Sequence, residues 1–556
     1  MEQQPRPTPP TPFPTREGEA LPLRNGEEAK GGGSSLLTAA PWIVLALALV
    51  VRAVAAAGLS FPALDDPAFY LTVAANLAQG RGLVIDAIWS YHVPFAAVTH
   101  PSNEYWTPLT SLALAPALAL FGPSYRVAQA LWVIIGVGLV GLTFAVVRAS
   151  PQVGKDARWL APAAGLLVAL NPLLVYQTAT VDSTTMFSLI AGLTLLLLAR
   201  CPAAGPGTWA AVGVGLGLSY LTRNHGALLL PVALIFLWLT RPSPQPSPRG
   251  RGGRPPASVL SPRLLALLLP WGLLVGAWLA RNALTFGSPF PFPMPTVALI
   301  PDYPSLFWYP APSVRELLAA ADPVAHAWLR VQALAHTSVG VLGWALLALA
   351  PFSLAGLWLL RRDPVFLAAG MAGAVLVLGN ALVFPVPSLT GAFFHSAGVL
   401  VPFLTVAGLV ALKQGTDRVQ RALGWQRTIL PVLLGGVLAL TLAQLVVSQA
   451  TAWAQHRVWA RQFGEATRWL REHDPAAVVI TTQPYSLHYA SGLPAVVLPS
   501  AQPPTAALEV ARRYGARYLV LTERFGRYPD ALQEAPPGAF RLAYRAQGLE
   551  IYEVAP

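Results

Sequence analysis

The sequence predicts an α-helical protein that crosses a membrane many times and carries a small α/β domain at its C-terminal end. Of the 556 residues, 54% are hydrophobic and only 11% are charged, and the mean hydropathy is +0.52. A soluble domain carries roughly 25% charged residues. Several apolar runs reach the roughly 20 residues that cross a bilayer as a helix. Residues 451–556 differ, since they have ordinary charge density.

The placement of charges argues against nucleic-acid binding, and the cysteine content excludes an internal disulfide and a cysteine metal cluster. The net charge of +12 invites comparison with nucleic-acid-binding proteins. However, most Lys and Arg residues stand in short segments between apolar runs, a placement that orients membrane proteins. We therefore expect no nucleic-acid partner. The single cysteine, Cys201, allows neither an internal disulfide nor a cysteine metal cluster.

The transmembrane domain is predicted over residues 36–450. Residues 1–35 are rich in Pro, Gly, Glu and Arg, which predicts a disordered cytoplasmic N-terminus. Residues 36–58 are expected to form a retained first span. About eleven helices are predicted in all, at 36–58, 124–147, 158–176, 185–200, 207–221, 226–240, 263–281, 338–360, 364–384, 394–412 and 428–450. Residues 108–121 are too short to span at 1.5 Å per residue and are predicted to lie at the interface.

Basic residues predict the orientation. With a cytoplasmic N-terminus, the inner connections hold most of them: Arg148, Lys155, Arg158, Arg200, Arg241, Arg249, Arg251, Arg254, Arg263, Arg361, Arg362, Lys413, Arg418, Arg421 and Arg427. This bias is typical of inner loops. The loops 60–107 and 282–337, and everything after about residue 451, are then expected outside a bacterial-type inner membrane.

The tail, residues 451–556, alternates predicted helices with β-branched runs. Helices are expected at 453–473, 485–491 and 506–514, and strands at 477–482, 495–498, 518–522, 540–544 and 550–554. This alternation predicts an α/β layer with parallel strands. Because no glycine-rich phosphate loop is present, we expect a lid or scaffold rather than a nucleotide site.

The first outer loop opens with two adjacent carboxylates, Asp65 and Asp66. Asp66 followed by Pro67 is a typical helix start. Phe69, Val73 and Leu77 then form one apolar stripe, which predicts a helix lying on the membrane and ending at Gly80. Adjacent carboxylates repel, which tends to raise one pKa and suits a general base. The alternative interpretation is that Asp66 only caps the helix.

The same loop closes with His100, Asn103, Glu104, Tyr105 and Trp106. Carboxylate and amide groups can bind sugar hydroxyls, and the aromatic rings offer flat apolar faces. The acids and His100 could also hold a divalent cation, although the spacing matches no standard metal motif. The alternative is an interfacial aromatic belt with solvated polar neighbours.

Further polar residues stand at predicted outer helix ends. Arg223 and Arg281 oppose the positive-inside bias, and a guanidinium there can bind a phosphate or snorkel to headgroups. His225 stands two residues after Arg223. His395 could donate to a phosphate or a sugar, or be structural. Asp182 lies in a turn and could face either a cavity or water.

Several short motifs resemble the polyprenyl-phosphate-dependent glycosyltransferases of the C-type (GT-C) superfold. This group includes protein O-mannosyltransferases and lipid A aminoarabinose transferases. The motifs are Asp65-Asp66, Tyr105-Trp106-Thr107-Pro108-Leu109, Thr222-Arg223-Asn224, Arg281-Asn282 with Phe286-Gly287-Ser288-Pro289-Phe290, and Leu493-Pro494-Ala495-Val496-Val497-Leu498-Pro499.

The resemblance implies a chemistry. Asp65, with Asp66 second, would be the base that deprotonates the acceptor. Arg281 would contact the lipid phosphate, and the transfer would invert the anomeric carbon. The donor would be a polyprenyl-phosphate sugar, and the acceptor a glycan, a lipid or a protein. Asp-Asp and Thr107-Pro108 stand where protein-mannosylating members have Asp-Glu and commonly Pro-Pro, which counts against a protein acceptor.

Two other classes compete with an enzyme. A transporter or lipid flippase predicts charged groups near mid-span and two similar halves. A sensor or assembly scaffold would need no acidic pair. The polar residues instead collect at one membrane face, which favours the enzyme.

Overall fold

The computed structural model describes residues 33–240, 261–522 and 528–555. The chain divides into two units, Met1–Ala40 and Pro41–Pro556. In the first unit, the described residues are the beginning of the first helix. The rest of the predicted disordered N-terminus lies outside the described residues, as do Arg241, Arg249, Arg251 and Arg254.

Helices make up most of the described chain. In order they are α1 Gly33–Ala57, α2 Asp65–Ala78, α3 Leu109–Phe121, α4 Tyr125–Ala149, α5 Ala157–Ala169, α6 Pro172–Ala179, α7 Ser183–Arg200, α8 Pro206–Thr222, α9 Leu229–Leu239, α10 Pro262–Phe286, α11 Met294–Leu299, α12 Val314–Ala320, α13 Pro323–Ala335, α14 Leu342–Leu346, α15 Ala350–Leu359, α16 Pro364–Leu378, α17 Pro385–Thr390, α18 Phe394–Ala397, α19 Val401–Leu423, α20 Leu430–His473, α21 Pro484–Ser491, α22 Pro504–Tyr514 and α23 Tyr528–Ala531.

Seven helical stretches within the described residues are long and apolar enough to cross a membrane, where the sequence predicts about eleven spans. They are Ala39–Ala57, Tyr125–Ala149, Ser183–Ala203, Pro262–Phe286, Pro323–Leu359, Pro364–Val383 and Leu430–His473. An eighth arises if α5 and α6, bent by 52°, count as one broken span. The remaining predicted spans correspond to α8, with 17 residues, to the short α9, and to α19, whose C-terminal half is polar.

Helix α2 is enclosed by protein, which corrects the expectation of a helix lying on the membrane. Its residues Pro67–Ala74 and Asn76 are buried, because α3 and α21 both pack against it. It begins at Asp65, and its N-cap, Leu64, makes no side-chain hydrogen bond. Asp66 is therefore not the cap of α2. The helix ends at Ala78, and Gly80 follows with a φ of 78°.

The strands are β1 Val84–Ile85, β2 Ala87–Ile88, β3 His100–Pro101, β4 Val478–Thr481, β5 Ala495–Val497, β6 Ala516–Thr522, β7 Phe540–Ala546 and β8 Leu549–Val554. Those of the tail lie where the alternation predicts them. They form a six-stranded sheet in the order β2-β5-β4-β6-β8-β7. The pairs β2-β5, β5-β4 and β4-β6 are parallel, and β6-β8 and β8-β7 are antiparallel.

The first outer loop and the tail share this sheet. Ala87 and Ile88 of the loop pair with Ala495 and Val496 of the tail. A single 44-residue helix, α20, joins the last predicted span to the tail without a break, a length of about 66 Å at 1.5 Å per residue. The first outer loop therefore contributes a strand to the sheet of the tail. This strand pairing fixes the position of α2, which lies in the same loop.

Candidate active site

A cavity of about 440 Å³ lies beside the first residues of α2. Five of the predicted site residues line it: Asp66, Tyr105, Arg223, His225 and His395. Its other wall is largely apolar and comes from residues 290–306 and 383–392. The predicted outer loop 282–337 thus supplies part of the cavity wall.

Short polar contacts connect four residues from separate elements. Asp66 Oδ2 lies 3.7 Å from Arg223 Nη1, and the same nitrogen lies 3.4 Å from Asp182 Oδ1. The other oxygen of Asp182 lies 3.1 Å from His395 Nδ1. The Asp66 side chain is 25% exposed and the Asp182 side chain 5%. Asp66 is therefore the more accessible of the two carboxylates.

Asp182 is held by its own helix and by a constrained backbone. It is the N-cap of α7 and accepts a hydrogen bond from Thr184 N at 2.8 Å. The preceding residue, Val181, is fully buried and has a φ of 61°. A β-branched residue in this region is strained by about 1–3 kcal/mol, and such strain gathers at functional sites. The fold thus retains a costly turn that aims this carboxylate at Arg223 and His395.

The charges of the cluster reinforce one another. Burial opposes ionisation of Asp182, but His395, Arg223 and Thr184 outweigh it and hold the pKa of its carboxyl well below the usual range. Burial also works against the Arg223 guanidinium, yet Tyr70, Asp182 and Asp66 raise its pKa above the usual value. Asp182 is thus anionic and Arg223 cationic under physiological conditions.

The two histidines of the cavity differ. Asn380 Nδ2 donates to Leu376 O at 2.8 Å, so its Oδ1 accepts from His225 Nε2 at 3.0 Å. Burial, with the charge of Arg223, lowers the pKa of His225 to about 3. His225 is therefore a neutral wall residue and not a cation for a phosphate. His395 engages Asp182 through Nδ1, and its Nε2 has no hydrogen-bond partner among the described residues.

Asp65 lies apart from the described cavity lining. Its Oδ1 accepts a hydrogen bond from Ser486 N of the tail at 3.1 Å. Arg281 also turns elsewhere: it donates to Ser102 O at 3.0 Å and to Asn282 Oδ1 at 3.1 Å. Its guanidinium lies over the Trp278 and Phe286 rings. The lipid-phosphate contact expected of Arg281 therefore has no support from the geometry.

His100, Asn103 and Glu104 are buried in the loop framework. Both nitrogens of His100 lie near carbonyl oxygens, of Pro101 at 2.8 Å and of Ala87 at 3.2 Å. Because both ring nitrogens face backbone carbonyls, this geometry gives no support to a cation site on His100. Asn103, with a φ of 72°, donates to Trp106 O at 3.1 Å.

Glu104 is the buried carboxyl of this framework. Tyr485 OH lies 3.4 Å from its Oε1. Burial raises the pKa of Glu104 despite the opposing effect of His100. The alternative of an interfacial aromatic belt with solvated polar neighbours therefore does not describe this loop. Its polar side chains, His100, Asn103 and Glu104, face the protein interior.

Asp66, Asp182 and His395 have the donor types of a divalent-cation site. One ligand atom from each lies within 4.8 Å of the others, and one imidazole with two carboxylates suits a transition metal. Arg223 Nη1, however, contacts both carboxylates. A metal would need to displace this guanidinium, so the residues as arranged do not fit one.

Some lining residues gave little signal in the sequence. Tyr70 follows Asp66 by four positions, so helical spacing places both on one face. Trp89 and Tyr220 carried no motif, and only the fold brings them to the cavity. Asn380 also carried no motif, and it contacts the lining residue His225.

The sequence matches no protein-family model and no curated protein. Solved structures do match. ArnT from Cupriavidus metallidurans bound to undecaprenyl phosphate has a TM-score of 0.54 at 14% identity, covering 95% of this chain and 100% of that one. Its apo state gives a TM-score of 0.53.

The archaeal oligosaccharyltransferase AglB from Archaeoglobus fulgidus, in complex with an inhibitory peptide and a dolichol-phosphate, also matches. It has a TM-score of 0.51 at 12% identity, covering 94% of this chain and 74% of that one. At such identities the likeness establishes the fold. The resemblance found in the sequence is confirmed at the level of the fold: this chain has the GT-C glycosyltransferase fold of ArnT and AglB.

Proposed function

We propose that the protein transfers a sugar from a polyprenyl-phosphate donor to an acceptor hydroxyl at the outer face of the membrane. The observation that carries this proposal is the pairing of Asp66 with Arg223 in one cavity, 3.7 Å apart. One group can accept a proton while the other binds a phosphate. The GT-C fold supports the choice, because neighbours of this fold bind undecaprenyl or dolichol phosphate.

Arg223 is the residue proposed to hold the donor phosphate. It is the only Arg or Lys among the described lining residues. A guanidinium binds phosphate oxygens through a rigid fork of donors. In the same cavity, Phe290, Met294, Val297 and Leu306 form part of an apolar wall, which suits the prenyl chain of the donor. Arg223 thus takes the role that the resemblance assigned to Arg281.

Asp66 is the residue proposed as general base. Its carboxylate lines the cavity and is the more exposed of the two that contact Arg223. Asp65, first choice by resemblance, binds the backbone of the tail instead. The base role therefore passes to Asp66.

The reaction then proceeds as a direct displacement. Asp66 takes the proton of the acceptor hydroxyl, and the oxygen forms a bond to the anomeric carbon. The bond from that carbon to the phosphate oxygen breaks, and the lipid phosphate leaves with the electron pair. Arg223 stabilises the departing charge, an electrostatic contribution that is often the largest in catalysis. The configuration at the anomeric carbon inverts.

The surroundings of the reaction are part of this proposal. We place the cavity and the tail on the outer side of a bacterial-type inner membrane, with the N-terminus in the cytoplasm. The count of about eleven spans and the role of the tail as a distinct extracytoplasmic domain belong to the same proposal. The positive-inside distribution of Arg and Lys supports it.

Transfer from radiolabelled polyprenyl-phosphate sugars in isolated membranes tests the function. The panel includes a pentose, an aminopentose and a hexose donor. Asp66→Asn should lower transfer by about 10²–10⁴-fold at unchanged expression, because general-base catalysis contributes that much. Asp322→Asn serves as the matched control, since Asp322 is an exposed helix cap and asparagine caps equally well. Full activity of Asp66→Asn, or no transfer by the wild type from any donor, would overturn the proposal.

A further inference from the structure

Asp65 caps a helix of the tail. Its Oδ1 lies 3.1 Å from the backbone nitrogen of Ser486, the third residue of α21, across 421 positions of sequence. The N-cap of α21, Gln483, makes no capping hydrogen bond from its side chain to the helix. The first N–H groups of a helix lack partners within the helix and attract negative charge. Asp65 therefore supplies the cap that α21 lacks locally.

This contact controls the direction of the neighbouring aspartate. Asp65 and Asp66 are the first two residues of α2, and successive residues of a helix project about 100° apart. When Asp65 is fixed on α21, the first turn of α2 cannot rotate. Asp66 is thereby held toward the cavity and Arg223.

Contacts on both sides of the pair extend the connection. Before it, the Phe61 and Tyr489 rings lie 5.9 Å apart, and Gln483 Nε2 lies 3.4 Å from Ala63 O. After it, the Phe69 and Tyr485 rings lie 5.1 Å apart, and both side chains are fully buried. Helix α21 and its N-cap thus contact the chain both before and after the first two residues of α2.

We propose that Asp65 is a positioning residue that clamps α2 to α21, so that the tail shapes the catalytic loop and aims Asp66 at the cavity. The inference rests on the proposed function, because it assigns Asp66 the reacting position. It also gives the tail a function: the tail orients the base, and its sheet extends this support by pairing with the same loop at Ala87–Ile88.

Kinetics separate positioning from proton transfer. Asp65→Leu removes the acceptor oxygen and should lower kcat on the order of 100-fold, as small misplacements of a reacting group do. KM for the lipid donor should stay near the wild-type value, because Arg223 is untouched. Asp65→Asn keeps an acceptor oxygen and should lose less than about tenfold, since a neutral acceptor forms a weaker bond than a charged one. Asp66→Asn should show the full loss of about 10²–10⁴-fold expected for the general base.

Hydrogen exchange supplies a measurement that does not depend on transfer. In the full-length protein, residues 484–491 should exchange faster in Asp65→Leu than in the wild type, and Asp65→Asn should restore most of the protection. Asp474→Asn, which alters a surface ion pair of the tail with Arg517, is the matched control and should change neither the exchange of 484–491 nor kcat.

Three results would overturn the clamp. One is Asp65→Asn as inactive as Asp66→Asn with normal protection of 484–491, which would make Asp65 itself the base. Another is an unchanged kcat in Asp65→Leu, and the third is unchanged exchange in that variant. A wild type without transfer refutes the proposed function alone, because the exchange experiment still decides whether Asp65 holds α21.

Discussion

Asp65 and Asp66 are adjacent in sequence and have different partners. Helical geometry explains the division, since neighbouring residues of α2 cannot face the same side. Asp66 meets Arg223 in the cavity, and Asp65 meets the backbone of Ser486. The pair was predictable as functional from its place after the first span. Which member faces the cavity depends on α21, whose contact the sequence does not reveal.

The same dependence applies to the other basic residues. By sequence alone, Arg223 and Arg281 both stand at predicted outer helix ends and are equivalent. The fold separates them, because Arg223 lies beside Asp182 whereas Arg281 reaches the carbonyl of Ser102. Local sequence indicates that a guanidinium is near the outer face, but not which acid or cavity it meets.

At the residue scale, the neutral state of His225 predicts a dependence of stability on pH. Burial lowers its pKa from 6.5 to about 3. Between these values the unfolded chain binds a proton that the folded chain does not, so the stability contributed by neutral His225 is present above 6.5 and is lost as pH falls toward 3. The charge of Arg223 nearby works in the same direction.

Thermal unfolding in detergent measures this effect. The midpoint of His225→Gln should fall less than that of the wild type between pH 6.5 and 3.8, since glutamine carries no titrating group. The contribution of Asp182 changes only below 3.8, the usual carboxyl value. Other buried histidines, such as His92 and His488, are common to both proteins and cancel in the difference. Parallel pH curves for the two proteins would contradict the expectation.

At the element scale, an arginine in the first predicted span is structural. Arg52 is fully buried in α1, and its guanidinium donates to Ala169 O at 3.0 Å and Val168 O at 3.4 Å. These carbonyls end α5, where the chain bends by 52° into α6. The C-terminal carbonyls of a helix lack internal partners and carry partial negative charge. The mid-span charge that a transporter would use is here committed to a helix end.

Arg52→Met should destabilise the protein. Each of the two carbonyls left without a partner costs about 1–3 kcal/mol, and relief from burying a charge offsets part of this. A net loss of about 2 kcal/mol is expected, observed as a lower midpoint of thermal unfolding. Arg361→Met is the control, because that guanidinium is exposed and contacts only Trp358, near the end of the preceding helix α15, among the contacts of the described residues. An Arg52→Met protein as stable as the wild type would show that other groups satisfy α5.

The apolar pattern of α2 predicts the helix correctly but predicts its surroundings wrongly. The stripe of Phe69, Val73 and Leu77 correctly predicts a helix. A stripe on one face also predicts a second face in contact with water or headgroups. In the structure α3 and α21 cover both faces, so Tyr70 and Thr72 are buried as well. Small and aromatic side chains between the apolar positions are compatible with either setting.

At the scale of the whole molecule, the predicted orientation can be tested directly. Cys201 is buried, so the native thiol is a silent background for a membrane-impermeant maleimide. In intact spheroplasts, Ala97→Cys in the first loop and Gln533→Cys in the tail should be labelled, because both positions are exposed and predicted to lie outside. Gln426→Cys, exposed at a predicted inner connection, should react only after permeabilisation.

The reverse labelling pattern would place Asp66 in the cytoplasm and refute the proposed outer-face reaction. Labelling of Ala97→Cys without Gln533→Cys would separate the loop from the tail. That result would contradict the shared sheet, in which Ala87 and Ala495 are paired.

The sequence by itself determined the class of fold, the long apolar helices and the strands of the tail, because hydropathy and periodicity are local properties. The charge bias predicts which membrane face the polar residues occupy. The GT-C fold followed from short motifs and was confirmed by structural likeness at only 14% identity. Tertiary structure alone decided the composition of the cavity. Contacts between residues 66, 182, 223 and 395 bring four separate elements together, and the tail, more than 400 residues away, sets which aspartate faces them. Such contacts arise from packing, and no spacing along the chain encodes them.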